Sequence, residues 1–167
     1  MELFYSFEAG GEHIGVSYLR ITSRRLLSVT RFLESEGSIY TNRFDLELDD
    51  GRVRAIQQGD GPWTNLMDLP DDHYPSSAYP LLLPRVRDTF VYTQVSDSDG
   101  SPVAVTRLVK ETDDIVEYQN GQVRRRFTMN GDTPTRIDWG GAYSTLRADA
   151  GSAQGDSGIT LSATDLG

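Results

Sequence analysis

The stretch from residue 40 to residue 51 is YTNRFDLELDDG, and its side chains alternate in character along the chain. The positions that share one face are Tyr40, Asn42, Phe44, Leu46 and Leu48. Such a period of two is typical of a strand with one buried and one solvated face. Asp49-Asp50-Gly51 follows as a hairpin turn, because glycine adopts the positive φ that these turns require. This stretch predicts an antiparallel strand and its return.

Short runs of the same kind fill most of the chain and are separated by turn residues. Asn120-Gly121, between two of these runs, is the strongest two-residue hairpin signal. The predicted strands are 3–8, 13–22, 26–33, 40–48, 52–57, 89–95, 103–109, 115–118, 122–129, 136–139 and 143–147. About ten strands at this spacing predict an all-β fold: a strongly curved antiparallel meander sheet, open or half barrel, with one short helix.

The chain of 167 residues has the length of one domain. We assign residues 1–149 to the curved antiparallel β domain. Residues 150–167 have the glycine- and serine-rich composition of a linker. They are predicted to form a flexible tail or a short edge strand.

Composition and charge exclude several function classes. The formal net charge of −9 argues against nucleic acid as a partner, because an acidic domain repels phosphate backbones. The absence of cysteine removes disulfides and thiolate sites, and two histidines are few for a metal site, so no cofactor and no metal are predicted. No apolar run is long enough for a membrane span. The N-terminus lacks signal-peptide features, which favours a cytoplasmic location, or the cell envelope or periplasm if a leader was removed.

The segment from Asp60 to Val86 interrupts the hairpin pattern. It is rich in proline and apolar residues, and a long connection of this kind inside a β domain is usually functional or disordered. Ser76 or Ser77 can cap a short helix near 78–83, with Pro80 tolerated in the first turn. We expect this apolar helix to cross the concave face of the sheet. There it either completes the core or acts as a plug beside a ligand cavity.

The order of these features resembles a known group of bacterial proteins. A strand with Tyr5, Gly15 in the return of the first hairpin, an Asp-Gly turn and a crossing at Tyr74-Pro75-Ser76 precede further hairpins, including Asn120-Gly121. Over most of residues 2–149 this order resembles DUF3108-like proteins and, more distantly, putative glycolipid-binding and lipoprotein-carrier-like β-clam proteins. The resemblance implies an open curved sheet, a helical element across its concave side, and lipid binding. Proteins of this group commonly act in the cell envelope. The missing leader therefore argues against a role in transport there more than against the fold.

The leading functional hypothesis is non-catalytic binding of a lipid or another hydrophobic or amphipathic small molecule in the concave face of a β-clam. The residues expected to line the site are Trp63, Leu66, Met67, Tyr79, Leu81, Leu82, Tyr40 and Phe44. The alternative hypothesis is a structural or protein-interaction domain with a self-filled core. The sequence leaves the oligomeric state open.

Two arginines are candidates for binding a polar head group. Arg124 and Arg126 are expected on one face of their strand, where an arginine fork suits a carboxylate or phosphate. Pairing with Glu117 across the strands is the simpler interpretation. Arg125 falls among apolar positions and is expected at a strand end that reaches solvent.

A third hypothesis is a hydrolase-like enzyme that uses Asp72, His73 and Tyr74. These residues place a carboxylate, an imidazole and a phenol in one loop. General acid–base chemistry requires such groups in a cleft. Adjacent acidic residues in a loop are more often solvated, so we do not expect an enzyme.

Overall fold

The computed structural model describes the backbone of residues 1–167 and the side chains of residues 1–155 and 157–167. Its strands are β1 Glu2–Ala9, β2 Glu12–Ile21, β3 Arg25–Leu33, β4 Ile39–Asp49, β5 Arg52–Gln58, β6 Trp63–Asn65, β7 His73–Pro75, β8 Thr89–Val95, β9 Pro102–Glu111, β10 Asp114–Gln119, β11 Gln122–Asn130, β12 Thr133–Asp138 and β13 Ala142–Arg147. Two short helices accompany them, α1 Tyr79–Leu82 and α2 Ala150–Gln154.

The strands form one curved sheet that does not close. Its order is β6-β5-β4-β3-β2-β1-β13-β12-β11-β10-β9-β8-β7, so β1 pairs with β13 in the middle of the sheet. Every neighbouring pair is antiparallel except β7 and β8. The all-β fold class predicted from the alternating pattern is confirmed.

The sheet has 13 strands, two more than the eleven predicted ranges, because the irregular segment contributes two. These are β6 and β7, each of three residues, and they are the two edges of the sheet. The chain therefore passes directly from one edge to the other. Thr64 Oγ1 donates to the carbonyl of Ser98 at 2.9 Å, which joins β6 to the β8–β9 loop beside the opposite edge.

The connection between β7 and β8, residues 76–88, carries the expected helix, and we call it the crossing segment. Helix α1 lies between 3₁₀ turns at Ser76–Ala78 and Leu83–Arg85, and Pro80 falls in its first turn. No serine hydroxyl caps these turns. Arg85 fixes the crossing segment, because its guanidinium donates to Tyr74 Oη at 2.8 Å and to the carbonyl of Gly51 at 2.6 Å.

The core lies between the two halves of the sheet, β1–β6 and β7–β13. Leu82 and Leu83 of the crossing segment are buried there against leucines and isoleucines of both halves. The crossing segment thus completes the core over part of the concave face.

Residues 150–167 pack against the convex face of the first half-sheet and form no strand. Asp149 caps α2 by accepting from the Ser152 amide at 2.7 Å. Ile159 is buried against Val16, and Leu161 and Leu166 pack against Tyr18 and its neighbours. The glycine-rich composition predicted a flexible tail or an edge strand, whereas in the structure these residues cover apolar side chains of β1–β3.

Candidate functional site

A cavity of about 280 Å³ remains on the concave face beside the crossing segment. Both halves of the sheet and the turn before α1 contribute to it. Its lining residues are Tyr5, Ser17, Tyr18, Leu19, Ser28, Thr30, Asn42, Phe44, Ser76, Ser77, Tyr79, Gln94, Asp97, Arg124, Arg125, Ile137, Trp139 and Ser144. Most of these side chains are polar, so the cavity differs from the apolar interior expected for a lipid carrier.

The register of β1–β4 orders the concave side chains into rows. Pairing places Ile21, Leu26 and Leu46 in one apolar row, in which Leu26 and Leu46 are fully buried. The next two rows line the cavity: Leu19, Ser28 and Phe44, and then Tyr5, Ser17, Thr30 and Asn42. Polarity therefore rises from the core into the cavity.

A row of aromatic side chains lies beyond the two cavity rows, toward the exposed ends of the strands. Phe7, Phe32 and Tyr40 lie in register there, with Gly15 between Phe7 and Phe32. The rings of Phe7 and Phe32 are 5.3 Å apart, and those of Phe32 and Tyr40 are 5.4 Å apart. We call Phe7, Phe32 and Tyr40 the outer aromatic row. Tyr40, at 45% exposure, is its most solvent-accessible member.

The opposite wall is built around a buried ion pair. Arg125 donates to both carboxylate oxygens of Glu117 at 2.7 Å, and Tyr92 Oη donates to the same carboxylate at 2.8 Å. The guanidinium also lies 5.0 Å from the Tyr79 ring and 5.6 Å from the Trp139 ring, in cation–π range.

These contacts decide the charge state of the buried pair. Burial by itself raises the pKa of Glu117, but the hydrogen bonds and the charge of Arg125 outweigh it and hold that pKa below its ordinary value. Burial likewise raises the pKa of Tyr79 to about 12. The wall therefore contains a charged but internally neutralised pair and a protonated phenol.

A β-bulge directs Arg124 into the same cavity. The register between β10 and β11 shifts after the pairing of Glu117 with Arg125, because Tyr118 pairs with Val123 and leaves Arg124 as an extra residue. Bulges commonly redirect a side chain in this way. Arg124 contacts the Gln94 side-chain oxygen and lies 3.3 Å from Ser76 Oγ. Its side chain retains 36% exposure.

Asp97 supplies a carboxylate to the lining. Burial raises its pKa, while the hydrogen bond from Ser77 and the charges of Arg124 and Arg125 lower it, and the net direction is upward. The protonated form of Asp97 therefore persists to higher pH than in a free aspartate.

The structure brings together three of the ten residues proposed from the sequence. Tyr79, Phe44 and Arg124 line the cavity, and Tyr40 lies in the adjacent outer aromatic row. Leu66 and Leu82 are buried in the core, and Leu81 packs against it. Trp63 and Met67 are exposed on the β6 side of the molecule.

The expected arrangement of the arginines is wrong. Arg126 does not share a face with Arg124; it is exposed and pairs with Asp114 at 3.3 Å. Arg125 does not reach solvent, because it is 4% exposed and bound to Glu117. The bulge at Arg124 is the physical reason, since an extra residue reverses the alternation along the strand.

Asp72, His73 and Tyr74 lie away from the cavity lining. His73 Nδ1 is 2.9 Å from an Asp72 carboxylate oxygen at an exposed site. Tyr74 is buried and accepts from Arg85. The three groups do not converge on one cleft.

Sequence reasoning missed most of the polar lining, including Ser28, Thr30, Gln94, Asp97 and Arg125. One signal was available in the strand pattern. Ser28 and Thr30 are in phase with the core residue Leu26, just as Asn42 is in phase with Leu46. Polar residues at inward positions mark a place where the core does not close.

Two further classes of site find no support in the described part of the chain. None of its helices has the length and apolarity needed to cross a bilayer. The described side chains also contain no group of three or more histidines, aspartates or glutamates arranged to hold a metal ion.

Comparison with known proteins adds no relative: no family model, no curated protein and no solved structure matches the chain.

Proposed function

We propose that this protein binds a small amphipathic molecule in the cavity on the concave face of its sheet. The observation that carries the proposal is the cavity of about 280 Å³ that the crossing segment leaves beside the core. Ligand sites are typically concave, with a few convergent polar groups set among apolar and aromatic ones. Arg124, Gln94 and Asn42 converge here with Phe44 and Trp139.

The size of the cavity restricts the ligand. Sites for small molecules usually measure about 300–1,000 Å³, so about 280 Å³ suits a small ligand or one part of a larger ligand. The polar lining favours an amphipathic molecule over a purely apolar one. The resemblance to lipid-binding β-clam proteins supports the location of the site more than the identity of a lipid.

One observation favours the alternative of a protein-interaction domain. On the convex face of the second half-sheet, the register places Val91, Arg107, Tyr118 and Val123 in one row. Val91 and Val123 are 52% and 54% exposed. This surface becomes the leading candidate if the cavity binds nothing.

The binding test uses tryptophan fluorescence. Trp139 lines the cavity and Trp63 does not, so Trp63→Phe leaves a single reporter among the two tryptophans. We expect titration with 1-octanol or sodium octanesulfonate to change the emission of Trp139 saturably. Native mass spectrometry of the purified protein provides a second readout for a bound molecule.

A blocking variant makes the test specific. Ser28→Phe places a ring between Leu19 and Phe44, and we expect it to abolish the saturable response. Ser23→Phe at an exposed turn is the control and retains the response. The absence of a saturable response to both probes, together with the absence of a bound molecule in the purified protein, would contradict the proposal.

A further inference from the structure

Along the strands of the concave face, the side chains change from aromatic rings at the exposed strand ends to polar groups and then to leucines. The outer aromatic row lies nearest the exposed strand ends, the hydroxyl and amide groups of Ser17, Thr30 and Asn42 come next, and leucines lie behind them. A lipid carrier that encloses an acyl chain needs the reverse order, with an apolar interior and a polar entrance. This order favours a ligand whose polar end enters first.

Arg124 supplies the positive charge that is available to a ligand among the polar lining residues. Arg125 is already neutralised, because Glu117 accepts two hydrogen bonds from it. Arg124 is 3.9 Å from that carboxylate, and its closer partners, Gln94 and Ser76, are uncharged. A guanidinium has five N–H donors, so donors remain for a further acceptor.

The surroundings of Arg124 keep its charge available to a ligand. Asp97 is the one carboxylate among the described residues that line the cavity. Ser77, rather than Arg124, provides the hydrogen bond to Asp97, at 3.4 Å.

We infer that the ligand is an amphipathic anion that enters polar end first, with its acidic group against Arg124 and its apolar part along Phe7, Phe32 and Tyr40. This inference rests on the proposed function, since it specifies the chemistry of a ligand for the same cavity. Carboxylate, sulfonate and phosphate groups share the geometry that a guanidinium recognises.

The test compares three probes of equal chain length on the Trp63→Phe protein: octanesulfonate, 1-octanol and octylammonium. We expect octanesulfonate to bind about tenfold or more tightly than 1-octanol, because hydrogen bonds to a charged group are the strong ones. Octylammonium is expected to bind most weakly. If 1-octanol binds as tightly as octanesulfonate, the inference fails while the proposed function stands. If neither binds and the purified protein carries no bound molecule, both fail.

Substitutions test which arginine causes the preference for octanesulfonate over 1-octanol. Arg124→Gln is expected to remove the preference for octanesulfonate over 1-octanol. Arg126→Gln is the matched control on the same strand and keeps the preference, because Arg126 is exposed on the other face. Asp97→Asn is expected to tighten octanesulfonate binding. If Arg124→Gln keeps the preference for octanesulfonate, the acidic group does not bind Arg124 and the inference is overturned. The comparison of the three probes on the protein with Arg124 intact remains informative even if Arg124→Gln does not fold.

The direction of entry has its own readout. Tyr40→Ala is expected to weaken decanesulfonate binding several-fold and butanesulfonate binding little, because only the longer chain reaches the outer aromatic row. Equal effects on both chain lengths would contradict entry with the polar end first.

Discussion

Arg125 and Glu117 form a fully charged pair inside the sheet, with 4% and 0% of their surfaces exposed. Two charges lose favourable hydration on burial, and only good geometry compensates for that loss. Here both carboxylate oxygens accept from the guanidinium, and Tyr92 donates to the same carboxylate. The pair therefore fixes the position of the cavity wall and of Arg124 beside it.

Removing one partner should be far more harmful than removing both. Glu117→Gln is expected to lower the free energy of unfolding by about 3–5 kcal/mol at pH 7, because it leaves Arg125 buried without a counter-charge. Glu117→Leu combined with Arg125→Met is expected to recover most of that loss. Denaturant unfolding measures both. Asp114→Asn, which breaks an exposed pair, is the control and should change stability by less than about 1 kcal/mol.

The same pair predicts a pH dependence with a definite sign. The pKa of Glu117 is lower in the folded protein than its ordinary value of 4.5. Its stabilisation is therefore fully present above pH 4.5 and is lost as the pH falls through the folded-state pKa. Between pH 4.5 and pH 2.5, we expect stability to fall less steeply in Glu117→Gln than in the unsubstituted protein. If stability falls equally steeply with pH in both proteins, Glu117 is not the source of this pH dependence.

At the scale of the elements, Gly15 is required by the close approach of β2 and β3. A Cβ atom at Gly15 would lie 2.1 Å from the carbonyl oxygen of Arg31 and 2.7 Å from Phe32 Cβ. Gly15→Ala is therefore expected to destabilise the protein by about 2–3 kcal/mol, because backbone must move to relieve the overlap.

A helical glycine provides the control for this prediction. Gly151 in α2 has no comparable neighbour, its nearest contact being 3.5 Å away. Gly151→Ala is expected to be neutral or slightly stabilising, since alanine favours a helix. If the two variants unfold at comparable midpoint temperatures, the close approach of β2 and β3 does not require glycine at position 15.

The strands and their turns could be predicted from the sequence, whereas the bulge within β11 could not. Alternation from Tyr40 to Leu48 correctly predicts β4 and its inward face. The bulge at Arg124 leaves no trace in the pattern, because three consecutive arginines read the same in any register. The candidate site was therefore predicted only in part: the alternation indicated Phe44, but not Arg125 as a buried residue.

At the scale of the whole molecule, the sheet is continuous because β1 pairs with β13. That contact joins residues more than a hundred positions apart, and no local pattern specifies it. The composition of residues 150–167 was equally misleading. Glycine and serine predicted a flexible tail or a short edge strand, whereas Ile159, Leu161 and Leu166 pack against apolar side chains of β1–β3.

The C-terminal residues should therefore contribute to stability. Ile159→Ser is expected to lower the free energy of unfolding by about 3 kcal/mol, because Ile159 is 5% exposed and packs near Val16. Ala163→Ser, at an exposed position, is the control and should have almost no effect. If both variants unfold at the same denaturant concentration, residues 150–167 do not stabilise the sheet.

The central claim is that the cavity beside the crossing segment is a binding site. The most direct measurement is the dissociation constant of octanesulfonate, read from Trp139 fluorescence in Trp63→Phe, with and without Ser28→Phe. We predict saturable binding that Ser28→Phe abolishes and Ser23→Phe preserves, with all three proteins folded by circular dichroism. Binding that survives unchanged in Ser28→Phe would place the ligand elsewhere and contradict the account.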